Sequence, residues 1–220
     1  MKWIQVMVII FGSMNYHASF KSYKLFQKSY PTSEIILRTP GIVRFKHDSI
    51  EKFRDDVYIL SQDGDTINHL YWNDYNQSIK MSNENDIILN YFPEYNVIEF
   101  EGYSSEEKMF PILVNDSLCF LTANSAHVKY ETWEEYISDI YLTTNEYNPL
   151  RITFSEESSN NIVHGIDYDN VYFSVNKIVG DWAFVDCHIN DEDVELPKIR
   201  KGWIRWKKAN KLLIRAYTIY

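Results

Sequence analysis

Residues 179–214 read VGDWAFVDCHINDEDVELPKIRKGWIRWKKANKLLI and hold three of the chain's six Trp. Successive side chains of a strand point to opposite faces. DWAFVDC therefore sets Trp182, Phe184 and Asp186 on one side, and Ala183, Val185 and Cys187 on the other. GWIRWKK separates Trp203, Arg205 and Lys207 from Ile204 and Trp206 in the same way. One set from each run must fill a core. Val185, Ile204 and Trp206 are expected inside, with Trp203 outside beside Arg205. Gly180-Asp181 is a hairpin turn, and Gly202 permits a neighbouring loop to come close.

The same punctuation extends upstream. Residues 66–129 read as short strands (TINHLYW, SIKM, DIILNYF, NVIEFEGY, KMFPILVN, SLCFLTA) with a tight turn at Asn115-Asp116, the spacing of a small β-barrel or sandwich. In NVIEFEGY, Ile98 and Phe100 oppose Val97, Glu99 and Glu101. YETWEEYISDIYL breaks the pattern. Thr132 and Glu135 fit a capping box, and Trp133, Tyr136, Ile137 and Ile140 share one helical face. A short helix is expected here, in a linker over 130–145. A repeat of about 70 residues links the halves, with Gly102 and Gly180 at matching turns. Residues 20–65 carry strand-like segments without a clear place in either half.

Composition agrees with strands. Apolar residues are 45% and aromatics 16%, with 17 Tyr, enough to build packed cores of large side chains. The net charge of −9 argues against nucleic acid, which needs a basic face to neutralise phosphates. The charge is segregated: residues 130–197 carry 15 acids and two cations, residues 198–220 eight cations and no acid. The simplest reading is that the fold brings the two segments together; the sharper one is a basic face for an anionic partner. The N-terminus has Lys2, an apolar run from Trp3 to Phe11, then small residues, the layout of a secretory signal peptide over 1–19. It is too short for a bilayer anchor, and no other segment reaches transmembrane length. A periplasmic or secreted location follows as an expectation.

The quoted motifs resemble those of bacterial SH3-like domains: NPLRITFSEESSNNIV their opening strand and Ser-rich turn, VNKIVGDWAFVDC their central hairpin, GWIRW their closing strand. The likeness covers about 148–215. It is fainter over 66–129, where SLCFLTA stands in place of the Gly-Trp pair. The whole resembles the tandem two-barrel secreted or periplasmic proteins of Bacteroidetes. It implies an all-β chain of two SH3-like barrels, over 66–129 and 146–220, joined by the helix. It implies a cell-envelope binding module without catalytic residues of its own.

Enzymatic signatures are missing from the sequence. None of the six His forms HExxH, and there is no GxSxG, P-loop or GxGxxG motif. Cys187 and His188, being adjacent on a strand, point apart. Cys119 and Cys187 lie in different halves, and a disulfide between them is not expected. Glu156-Glu157 and Asp191-Glu192-Asp193 read as solvated loops. No catalytic residue, metal or cofactor is expected. The candidate ligand face is aromatic and basic: Trp203, Arg205, Lys207 and Tyr217, with Trp182. A groove between the halves, floored by Trp133 and Tyr136, is the second candidate. The leading expectation is recognition of peptidoglycan or of a protein partner. The alternative is an inhibitor or immunity factor whose acidic loop at 186–195 blocks a toxin or wall hydrolase. An enzyme with a site between the halves is the weakest reading.

Overall fold

A computed structural model describes residues 36–46, 56–92, 96–105, 109–123, 127–156, 161–189 and 199–217. The leader expected over 1–19 lies outside them, as does most of the acidic loop. The described chain is all-β, with one short helix. Nine strands form the first sheet: β1 (Gly41–Phe45), β2 (Val57–Leu60), β3 (Thr66–Asn73), β4 (Ser78–Met81), β5 (Asn90–Phe92), β6 (Val97–Gly102), β7 (Met109–Val114), β8 (Ser117–Thr122) and β9 (Val128–Thr132). Their order is β4-β3-β2-β8-β7-β6-β1-β9, with β5 also paired to β6, and every pairing is antiparallel. Helix α1 (Trp133–Asp139) follows. The second sheet joins β10 (Tyr141–Thr143), β11 (Val171–Val179), β12 (Trp182–Ile189), β13 (Lys201–Arg205) and β16 (Arg215–Tyr217) in the order β13-β12-β11-β10-β16. A small hairpin, β14 (Lys207–Lys208) and β15 (Lys211–Leu212), lies between β13 and β16 in the chain.

Local chemistry explains the joints. Asn115 and Asp116 take φ of 51° and 63°, the paired left-handed geometry that matches the twist of a two-residue hairpin. Gly180 takes φ of 57° between β11 and β12. Thr132 caps α1: its hydroxyl accepts from Glu135 N–H at 3.2 Å, while its own N–H donates to the Glu135 carboxylate at 2.8 Å. The Thr132 N–H and hydroxyl, both donating to that carboxylate, hold the Glu135 carboxyl below its usual range.

The first sheet wraps one core. Val43, Val57, Ile59, Leu70, Ile79, Phe100, Ile112 and Leu121 are all sealed within it. Neither sheet order returns to its starting strand among the described residues, so no closed barrel forms there. The physical reason lies in residues 36–60. β1 sits between β6 and β9, and β2 between β3 and β8, which makes the first sheet larger than a barrel built from 66–129 alone. At its β4 edge, side chains stand in for a missing strand. Ile79 N–H donates to Asn96 Oδ1 and Met81 N–H to the Tyr91 hydroxyl, each at 3.1 Å. An edge whose outward donors are occupied is a poor template for another chain. Tyr91→Phe leaves the Met81 N–H without its acceptor. It should cost about 1–3 kcal/mol and speed hydrogen exchange at Met81 selectively; unchanged exchange there would show that the bond is not what holds this edge.

β1 serves two cores. Val43 faces the first, and Ile42, one residue earlier, faces the second. In that second core Ile42 joins Trp133, Ile137, Leu142, Phe173, Val185, Ile204 and Trp206. The three residues expected inside, Val185, Ile204 and Trp206, are each 0% exposed.

Candidate functional site

The second sheet presents its other face outward. β12 and β13 pair Trp182 with Arg205, Phe184 with Trp203 and Asp186 with Lys201 on this face, and Ala183 with Ile204 on the inner one. Trp203 packs between two rings, Phe154 at 5.0 Å and Phe184 at 5.2 Å between centroids. The Arg205 guanidinium lies 5.8 Å from the Trp182 ring centre. Phe154 remains 55% exposed, so the cluster meets solvent at that ring.

A chain segment from 150 to 154 straps this cluster in place. Arg151 N–H donates to the Trp203 carbonyl at 2.8 Å, and Trp203 N–H to the Arg151 carbonyl at 2.7 Å. A Cβ on Gly202 would stand 2.4 Å from the Arg151 carbonyl oxygen, so only glycine admits the strap. Asn161 fixes the next turn: its amide donates to the carbonyls of Thr153 and Ser155, and its oxygen accepts from Thr153 N–H at 2.7 Å.

The segregated charges of the sequence meet in space. Arg205 bonds Glu156 at 2.7 Å and Asp181 at 3.2 Å. Lys201 pairs with Asp186 at 2.9 Å, Lys207 with Glu134 at 3.3 Å and Lys208 with Glu156 at 3.9 Å. Each of these acids comes from the acidic segment. The face is therefore aromatic and charge-compensated rather than openly basic.

Of the residues expected to act together, Trp182, Trp203 and Arg205 do meet. Lys207 goes elsewhere: its ammonium sits 4.3 Å from the Trp206 ring centre and turns to Glu134 on α1. Tyr217 lies on β16, at the opposite edge of the sheet from β13. Four strand spacings separate the two edges, about 19 Å. Trp133 and Tyr136 are 3% and 4% exposed. They pack edge-to-face at 6.1 Å and are part of the second core. Phe154 was not legible as a partner of Trp203, because nothing local announces which strand a strap will bridge. Phe184 carried a signal, lying two residues from Trp182 on the same face.

A second polar assembly sits on the face of β1, β6 and β9 that Ile42 shares, turned away from the first core. The register sets Arg44 against Glu99 and Lys129, and Ile42 against Glu101 and Glu131. Arg44 bonds Glu131, reaches Asp139 at 2.6 Å and approaches Glu99 at 4.0 Å. Glu99 also accepts from the Tyr136 hydroxyl and the Asn90 amide, each at 2.6 Å. Glu101 holds Arg38 at 2.6 Å. Burial pushes the Glu99 carboxyl above its ordinary value, against the pull of Tyr136, Asn90 and Arg44. Its folded form therefore binds a proton more tightly than the unfolded chain does. That contribution to stability is complete below the ordinary value of 4.5 and is lost as pH rises through the folded value. Glu99→Gln should thus gain stability relative to the parent as pH rises from 4 upward, read from urea midpoints in a pH series. A gap independent of pH would contradict the assignment.

The two thiols are buried and free. Burial raises both, Cys187 to about 11. Cys187 points into the core and His188 outward, where His188 Nε2 stands 2.8 Å from Ser174 Oγ. Among the described residues no cluster of three or more His, Cys, Asp or Glu is placed to hold a metal ion, and no helix is long and apolar enough to cross a membrane. No family model, curated protein or solved structure matches the chain.

Proposed function

We propose that this chain is a non-catalytic binding module of the cell envelope, exported by its leader, and that its second half is an SH3-like unit recognising the glycan of peptidoglycan. One observation carries the reading. Trp203, flanked by Phe154 and Phe184, lies on an outer sheet face where Arg205 is paired with Glu156 and Asp181. Such a face suits a ligand that offers apolar ring surfaces rather than charge. The Gly180 hairpin and the Gly202 close approach support the SH3-like assignment of 148–215, since both put glycine where the quoted motifs place it.

Co-sedimentation with purified peptidoglycan tests the proposal. The parent should be retained at moderate salt, because compensated charges leave little for salt to screen. Phe154→Ala and Trp203→Ala should bind about tenfold more weakly or worse while keeping the parent's circular dichroism. No retention of the folded parent would overturn the wall reading.

A further inference from the structure

The outer face of the second sheet holds a second ring cluster, in line with the one around Trp203. Along β12, Ala183, Val185 and Cys187 are buried, while Trp182, Phe184, Asp186 and His188 take the alternate, outward positions. Phe184 stands opposite Trp203 on β13, and His188 opposite Tyr172 on β11. Tyr172 and His188 stack at 5.1 Å with planes 19° apart, and Tyr141 on β10 meets both edge-on, at 5.0 and 6.1 Å. Ser174 Oγ, 2.8 Å from His188 Nε2, braces the imidazole in that stack. Tyr141 remains 38% exposed, so this cluster, like the first, meets solvent at a ring.

The sheet sets the spacing of the two clusters. His188 is four residues beyond Phe184 on one strand, about 13 Å at strand rise. Tyr172 lies two strands from Trp203, which puts their backbones roughly 16 Å apart on the diagonal. One sugar ring cannot touch both clusters; a strand of several linked sugars can. Between the clusters the register sets Asp186 against Lys201 on one side and Ser174 on the other. Asp186 and Lys201 bond each other at 2.9 Å, so this pair is polar and mutually compensated. Rings at both ends with polar atoms between them match a glycan strand, in which carbon faces of sugar rings are separated by hydroxyl and amide groups.

We propose that a glycan strand runs across this face along β12 and occupies the Trp203 cluster and the Tyr172–His188 cluster together. The inference rests on the glycan reading of the Trp203 cluster and extends it to a second subsite. One strand filling two subsites on a rigid sheet makes the second contact intramolecular, so affinity should rise with ligand length. Two probes test this by calorimetric titration of the full chain: glycan strands released from peptidoglycan by an amidase, and the disaccharides a muramidase cuts from them. Expressed per disaccharide, the parent should bind the strands at least about tenfold more tightly. Tyr172→Leu and His188→Leu should each bring strand affinity down to that of the disaccharide while keeping the parent's circular dichroism. Tyr141→Ser, at the exposed end of the same cluster, gives the same reading should either of these fail to fold. Tyr71→Ala, on the first sheet, should change nothing. Equal affinity for strands and disaccharides, or undiminished strand binding in the folded Tyr172 and His188 variants, would overturn the second subsite and leave the Trp203 reading standing. No binding of either probe by the folded parent would overturn both.

Discussion

Arg44→Met is expected to lower the unfolding free energy at neutral pH by about 3–5 kcal/mol, the usual cost of leaving buried charge without its counter-ion. Arg44 is 17% exposed in its side chain, and its partners Glu99 and Glu131 are 8% and 13% exposed. Methionine matches the stem of arginine but supplies no positive charge. Glu99 and Glu131 would then face each other across β1, with Lys129, 2.8 Å from Glu131, still beside them. Protonation relieves that repulsion, so the deficit should shrink as pH falls towards 4 and widen as it rises. Chemical denaturation across a pH series measures both the size and the slope. A loss under about 1 kcal/mol at neutral pH would place this cluster with ordinary surface pairs.

Trp206→Ala should be comparably damaging, at about 3–5 kcal/mol. The side chain is 0% exposed, and its indole N–H donates to the Gly180 carbonyl at 2.9 Å. Removing it opens a cavity and orphans the carbonyl that ends the β11–β12 hairpin. Trp203, three residues away on the same run, should behave differently. Its ring lies between two Phe at the surface, and Trp203→Ala should cost less than about 2 kcal/mol. Urea unfolding of the two variants, compared at a common slope, gives the ranking. If Trp203→Ala proved the costlier, the inner and outer faces of β13 would be exchanged.

The alternation in DWAFVDC and GWIRW divided each run into two faces, and the set holding Val185, Ile204 and Trp206 is the buried one. The capping pair Thr132 and Glu135 and the turn at Asn115-Asp116 were legible for the same reason: each is a local rule satisfied by neighbours in the chain. What stayed hidden depends on distant partners. Gly41–Phe45 reads as a generic strand, and nothing in it announces pairing with both 97–102 and 128–132. Without that pairing, Arg44 has no visible reason to meet Glu99 and Glu131, and Glu99 and Glu101 look like a solvated edge. Lys207 continued the alternation on paper, but the strand ends at Arg205, and the turn into β14 sends the ammonium to Glu134 instead. Tyr217 could not be placed, since strand order within a sheet is not written in periodicity.

Ile42 and Val43 are neighbours in the chain and belong to different cores. A cut of the gene between the halves would therefore not release two independent pieces: the second half would lose Ile42 from its core. Heat or denaturant that loosens one core must also disturb the strand bounding the other, which couples their melting. Change in such a protein is inherited jointly, and a substitution in β1 is judged by both interiors at once.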